Sequence, residues 1–309
     1  MVGLLRRWWS GPPPFAVQTA SLTGPRDENQ DNYLVIAADP AGQVTARWLA
    51  DGAPQQGPRR QWPARWVRLA VFDGMGGHRL GREIAEAAAA GLRDLPPCRG
   101  PQSQRRALFD LHRRLQGRFA AGPADRPGTT LVWAEIDRRD LCCHLLHLGD
   151  SRAWLIGTDA ARRLTHDHTL AEFGFRDRRI DDAAYAIERD RPDQRLAQAL
   201  GYGAWGVQRD GDGGEVFGFS PDLRLDAAAN LPADRVDQAD LKTFALPPGA
   251  RLLLASDGLW SAPGAALPDP AALGAADAAA TLAQAALDAG GTDNVTLVLG
   301  GFPAETQTP

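Results

Sequence analysis

The stretch Leu69-Ala-Val-Phe-Asp73-Gly-Met-Gly-Gly-His78 runs from four apolar residues straight into an aspartate and three glycines. An apolar run that stops at Asp-Gly reads as a buried strand delivering a carboxylate at its end. The arrangement recurs three times. His147-Leu-Gly leads into Asp150-Ser-Arg152, Leu252-Leu-Leu-Ala-Ser into Asp257-Gly-Leu-Trp260, and Gly290-Gly-Thr into Asp293-Asn294. Carboxylates at strand ends sit on a rigid frame and converge at one edge of a sheet. Glycine beside them lets a backbone carbonyl approach closely enough to act as a ligand. All-oxygen ligation without a Cys/His cluster selects Mg²⁺ or Mn²⁺ over zinc. Taken singly, each Asp-Gly is also a common tight-turn dipeptide. The glycine content after Asp73 exceeds what a hairpin needs.

Outward from this stretch, residues 67–72 read as one strand and 32–38 as another. Residues 40–63, rich in Gly, Pro and Gln, read as an irregular hairpin excursion between them. Helical spacing follows over 79–95, with Ile84, Ala88 and Leu92 in one stripe, and over 102–121, with Leu108, Leu111, Leu115 and Phe119. Residues 129–136 and 141–148 pair as strands across a polar turn, and 153–156 continue as strand. The mixed, charged region 164–201 reads as a loop with short helices, and 210–214 as a turn cluster. Short strands at 244–246 and 251–255 flank Pro-Pro-Gly; an alanine-rich helix covers 271–289 and a closing strand 295–299. Strands and helices are segregated instead of alternating. That predicts an α+β fold with antiparallel sheets and helices packed outside them.

The 309 residues carry 34 basic and 38 acidic side chains, a net charge of −4, which argues against nucleic acid or an anionic membrane as partner. No apolar run reaches the roughly 18 residues of a membrane helix, and the apolar start is too short for a secretory signal. Three cysteines, Cys98, Cys142 and Cys143, lack C-x-x-C spacing and point to a reducing cytoplasm. In a strand, one of Cys142 and Cys143 faces inward and the other outward. His166 and His168, two apart in a turn, suit structural hydrogen bonds better than metal, with Asp167 fixing the loop. Trp48, Trp62 and Trp66 are read as packing residues.

In order, Arg26-Asp-Glu-Asn-Gln-Asp31, Asp73-Gly-Met-Gly-Gly-His78, Gly128-Thr-Thr130, Gly149-Asp-Ser-Arg152, Leu164-Thr-His-Asp-His168, Ser256-Asp-Gly-Leu-Trp260 and Gly291-Thr-Asp-Asn-Val-Thr296 resemble the signature blocks of the metal-dependent protein phosphatase family of the 2C type, especially its bacterial members. The resemblance spans residues 20–301. It implies a central antiparallel β-sandwich flanked by helix pairs, a four-layer αββα arrangement. With no internal repeat and no long linker, the sequence reads as a single domain over 15–303 with an insert near 40–63. It follows a poorly ordered terminal segment over 1–14, and an active-site loop is expected near 170–200.

By the same resemblance, Asp73 bridges two Mn²⁺ or Mg²⁺ ions, the Gly74 carbonyl binds one, and Asp257 and Asp293 hold the other. Asp150, with Asp257, resembles the site of a third, weaker ion. Arg26 resembles the family's phosphate-binding arginine, and Asp31 hydrogen-bonds a metal-bound water. Gln30 and Met75 depart from the eukaryotic pattern, which has glutamate and histidine there. Because Met75 cannot donate a proton, the leaving group takes its proton from water. The implied reaction is hydrolysis of phosphoserine and phosphothreonine by a metal-bridged water. Phosphorylated proteins from a Ser/Thr kinase pathway are then the partners, met by a cytoplasmic monomer. A catalytically weak phosphoprotein-binding module and a small-molecule phosphatase of the same fold are the alternative readings.

Overall fold

The computed structural model describes residues 12–76, 80–119, 126–157, 160–189, 195–209, 211–261, 273 and 275–304. Its largest sheet is built on β2 (Asp31–Ala38), β3 (Val44–Ala50), β4 (Ala53–Pro58), β5 (Trp66–Met75), β7 (Leu131–Asp137), β8 (Cys142–Leu148) and β14 (Leu241–Ala245). The order is β14-β8-β7-β5-β2-β3-β4, with the short β6 (Gly128–Thr129) paired to the end of β5. The second sheet runs β1-β16-β15-β9-β10, from β1 (Ala16–Leu22), β16 (Val295–Gly301), β15 (Arg251–Ala255), β9 (Arg152–Ile156) and β10 (Ala161–Arg163). Every ladder in both sheets is antiparallel.

Period-two alternation decides what each strand buries. In β5, Val67, Leu69 and Val71 join Val35 of β2, Val132 of β7, Leu252 and Leu254 of β15 and Val298 of β16 in the core between the sheets. The opposite face of the large sheet, with Leu34, Ile36, Ala70, Phe72 and Trp133, packs under α1 (Leu80–Asp94) and α2 (Pro101–Arg118). α5 (Ala278–Asp288) covers the outer face of the second sheet through Ala279, Ala283 and Ala286. One helix pair and a single helix therefore flank the sandwich among the described residues, where two pairs were expected.

One charged residue breaks the apolar outer stripe of β5. Arg68, fully buried, pairs with Glu135 of β7 and donates to the carbonyls of Leu95 and Pro96 at 3.1 and 2.9 Å. It thereby ties the end of α1 to the sheet. Burial pushes Glu135 up to about 7 against the opposing pull of Arg68.

Several expectations are corrected. Residues 40–63 contain a regular hairpin, β3 with β4, that extends the large sheet by two strands. Trp62 and Trp66 are buried in the core beside it, as expected. The strand at 67–72 runs on through Asp73 to Met75, because Asp73 pairs with Asp31 of β2 and Met75 with Gly128 of β6. The strands either side of Pro-Pro-Gly join different sheets, β14 pairing with β8 and β15 with β9 and β16. The alanine-rich helix starts at Ala278, since residues 275–277 form a bend and turn. A third sheet of β11 (Gln198–Ala199), β12 (Gly203–Arg209) and β13 (Glu215–Ser220) lies on either side of the 210–214 turn cluster. Its half-exposed, aromatic strands lack the clean alternation that marks a buried face. Before it, residues 164–201 hold two short helices, as expected: α3 (Leu170–Arg176) and α4 (Asp182–Glu188). Of the segment 1–14, residues 1–11 lie outside the described residues; Arg138 donates to the carbonyls of Pro12 and Pro13.

Candidate active site

At one end of the sandwich the inner stripes turn from apolar to polar. β5 runs Val67, Leu69, Val71 and then Asp73; β2 opens with Asp31 before Tyr33 and Val35; β15 leads through Leu252 and Leu254 to Ser256. Ser256 Oγ donates to Asp31 Oδ2 at 2.7 Å, stitching the two sheets together at this end. Asp257 follows in a one-turn 3₁₀ helix, with its carboxyl close enough to that of Asp73 for the two to interact electrostatically. Asp293 stands just before β16, and Asp150 lies in the link between β8 and β9.

The backbone carrying these acids is held by short side chains. Thr130 Oγ1 accepts from the Asp73 N–H at 3.0 Å and meets Ser151 Oγ at 2.6 Å. Asn294 accepts from the Gln30 N–H at 2.8 Å and donates to the carbonyls of Thr23 and Glu28. Close approach demands glycine at two positions. A Cβ on Gly74 would sit 2.2 Å from the Gly81 carbonyl oxygen, and one on Gly258 2.0 Å from that of Asn294. Arg152 spans three loops: it grips Asp167 through Nε and Nη2 at 3.0 and 2.6 Å, stacks on Trp260 at 3.2 Å, and lies two residues after Asp150.

The electrostatics are those of crowded, buried carboxylates. Desolvation, then repulsion from Asp257, pushes Asp150 up to about 8. Desolvation raises Asp31 to about 7, with Asp257 and Asp293 adding to it and the Ser256 hydrogen bond opposing. Asp73 is raised well above the usual carboxylate range by burial and by Asp257, Asp31, Asp150 and Asp293 together. Asp257 is raised by burial and by Asp293. Like charges this close are costly unless protonated or bridged by a cation. An all-oxygen set of carboxylates with a carbonyl at Gly74 fits hard divalent ions.

The structure thus brings Asp31, Asp73, Gly74, Asp150, Asp257 and Asp293 to one end of the sandwich. Arg26, in the turn between β1 and β2, reaches the same cluster, but on a carboxylate: Nη2 lies 2.6 Å from Asp293 Oδ2 and Nε donates to Thr292 O at 3.0 Å. His168 is fully buried with both ring nitrogens bonded, Nε2 to Asp240 and Nδ1 to the Gly149 N–H, which fits the structural role expected of it. Asp167 fixes its loop through Arg152 and Arg163. Cys143 is buried and Cys142 half-exposed, as alternation requires. Thr130, Ser256 and Asn294 lay inside the quoted motifs without being singled out. Asp240 and Arg176, which hold His168, carried no sequence signal at all.

An antiparallel sandwich with an oxygen-rich acid cluster at one end is an arrangement suited to hard divalent cations. The model of the protein phosphatase 2C family matches residues 52–202 of the chain. No curated protein matches the chain. Among solved structures it is similar to the catalytic domain of the serine threonine protein phosphatase PstP in complex with two manganese ions. That likeness has 22% identity and a TM-score of 0.57, covering 94% of this chain and 98% of that one. The S. agalactiae serine/threonine phosphatase matches at 19% identity and TM-score 0.62, over 94% and 100% of the two chains. The Mycobacterium tuberculosis phosphatase PstP/Ppp matches at 22% and 0.59, over 94% and 99%. At these identities the likeness establishes the fold.

Proposed function

We propose that the chain hydrolyses phosphoserine and phosphothreonine in proteins at a centre of two Mn²⁺ or Mg²⁺ ions. Asp73, the Gly74 carbonyl, Asp257 and Asp293 hold the pair, and Asp150 with Asp257 holds a third. The observation that carries this reading is the convergence of buried carboxylates on Asp73: Asp31 faces it across the ladder, and Asp257, Asp150 and Asp293 repel the same group. The match of residues 52–202 to the phosphatase 2C family model and the two manganese ions of the similar PstP domain support it.

When bound, divalent ions supply charge neutralisation for the phosphoryl group and a water that is nucleophilic at neutral pH. The chain's own residues orient the reactants. Asp31, anchored by Ser256, accepts a hydrogen bond from water at the cluster and aims it. Arg26 presents a fork suited to two phosphate oxygens, which a lysine could not match. Its side chain is 55% exposed, so it can leave Asp293 for an incoming phosphate at little cost. Met75 carries no proton to give, and the ring of His168 is committed elsewhere, so the leaving oxygen is protonated by water.

The substrates of this reading are phosphoproteins supplied by a Ser/Thr kinase, met by a monomer in the cytoplasm; the three free cysteines suit that compartment. Among the described residues no helix is long and apolar enough to cross a membrane. The test is phosphate release from a phosphothreonine peptide and from p-nitrophenyl phosphate, with Mn²⁺ and with chelator. Mn²⁺-dependent release from both supports the reading. Release from the small ester alone points to a small-molecule phosphatase, and release from neither to a binding module.

A further inference from the structure

Gly149, the residue before Asp150, is held at both of its backbone polar groups by one side chain and its own main chain. The Gly149 N–H donates to His168 Nδ1 at 3.1 Å, and the His168 N–H donates back to Gly149 O at 2.8 Å. Gly149 has φ +102°, and a Cβ there would lie 2.7 Å from Thr130 Cβ, so this backbone has little room to move.

The imidazole is itself fixed. Gln198 Nε2 lies 2.7 Å from His168 Nδ1, and the amide is oriented by the Arg224 N–H donating to Gln198 Oε1 at 2.9 Å. Two donors on Nδ1 leave the ring proton on Nε2, which donates to Asp240 Oδ1 at 2.8 Å. Asp240 accepts from Arg176 Nη1 at 2.9 Å and from the Asp226 N–H at 2.8 Å. Arg176 is anchored within α3 by Glu172 at 2.7 Å. His147, His168 and Asp240 also lie close enough together to suggest a metal site. Neither ring nitrogen of His168 has a lone pair to spare, however, and the Arg176 guanidinium already neutralises Asp240.

We propose that His168 is a positioning residue, pinning Gly149 from a ring locked by Asp240 and Arg176 and so setting where the Asp150 carboxylate enters the acid cluster. This rests on the reading of Asp150 as a ligand to a weakly held cation. It also gives α3 a part in the site, since Arg176 and Glu172 lie on that helix while the group they orient lies in the link between β8 and β9.

Two substitutions separate the two bonds of the ring. His168→Asn places an amide oxygen near Nδ1 and keeps the acceptor for Gly149, but cannot reach Asp240. His168→Gln reaches Asp240 and leaves Gly149 without its acceptor. Mn²⁺ binding by calorimetry, the Mn²⁺ dependence of turnover and the melting temperature in chelator are measured for both, with Asp150→Ala as reference. The expected result is that His168→Gln loses the weak Mn²⁺ binding event lost by Asp150→Ala and needs roughly tenfold more Mn²⁺ for half-maximal turnover. His168→Asn should stay within about twofold of wild type, although both variants melt lower. Equal Mn²⁺ curves for the two variants, with Asp150→Ala shifted, would overturn the positioning role alone. An unshifted Asp150→Ala would sink the ligand reading and this proposal with it. Asp240→Asn keeps the volume but drops the charge that holds the ring proton. It must shift the Mn²⁺ curve in the same direction, and it decides the matter if His168→Gln does not fold.

Discussion

Asp31 and Asp73 stand directly opposite one another across the β2–β5 ladder, so both carboxylates project from the same face of the sheet, toward the end of the inter-sheet core. Directly opposed like charges destabilise a strand pair, and burial makes the repulsion worse. A sandwich that keeps such a pair, with Asp257 repelling Asp73 as well, trades stability for a crowded acid cluster.

That trade sets the pH response of the metal-free protein. Asp31, at about 7, and Asp150, at about 8, hold protons in the folded state well above their unfolded value. The folded chain therefore binds more protons than the unfolded one, and stability falls as pH rises through that window. Burial shifts histidines the other way: His166 sits at about 4, and His112, His144 and His147 are also lowered. Their effect makes stability rise with pH, but it fades above about 6.5 and is complete by about 7.5, so it offsets only part of the fall. From pH 6.5 to 8.5 the melting temperature in chelator should drop by roughly 3–6 °C. Saturating Mn²⁺ should remove most of that drop and leave the smaller part due to Glu135. A melting temperature that rises over this range in chelator contradicts the assignment.

Arg26→Ala should raise KM for a phosphothreonine peptide about tenfold or more while changing kcat less, because the guanidinium grips phosphate in both ground and transition states. Arg26→Lys should recover only part of the loss, having no fork. An unchanged KM at saturating Mn²⁺ would confine Arg26 to its bond with Asp293.

Gly74→Ala drives a methyl group into the Gly81 and Gln30 carbonyl oxygens, 2.2 and 2.6 Å from the ideal Cβ position. Neither neighbour is a flexible side-chain tip, so the end of β5 must move away from the start of α1. The expected cost is roughly 3–8 °C in melting temperature together with loss of the Mn²⁺ response. Wild-type values for both would show that the loop yields freely and that its geometry is not part of the site.

The strands and their acids were legible because burial on one or both faces writes itself into sequence as apolar runs, and Asp-Gly marks where they meet solvent. The β3–β4 hairpin was misjudged because β4, Ala53–Pro58, is an exposed edge strand with little apolar content. The boundaries at Asp73 and Ala278 were set by partners, β2 and β6 in one case and a preceding turn in the other, which local composition does not record. The acid cluster followed from motif order. Its supports did not, because Asp240 meets His168 across 72 positions and Ser256 meets Asp31 across 225. No local signal encodes such pairs.

Asp73 is the group on which the cluster converges, so its change to Asn, which keeps shape and removes charge, probes the centre most directly. Phosphate release from a phosphothreonine peptide is followed against Mn²⁺ concentration for wild type and Asp73→Asn, each shown folded by circular dichroism. The account predicts that wild-type turnover saturates with Mn²⁺ and vanishes in chelator. Asp73→Asn should fall below about a hundredth of wild-type kcat at every Mn²⁺ concentration, with a metal-free melting temperature equal to or above wild type because a buried repulsion is gone. Turnover that survives chelator, or a folded Asp73→Asn variant keeping more than about a tenth of wild-type kcat, would contradict it.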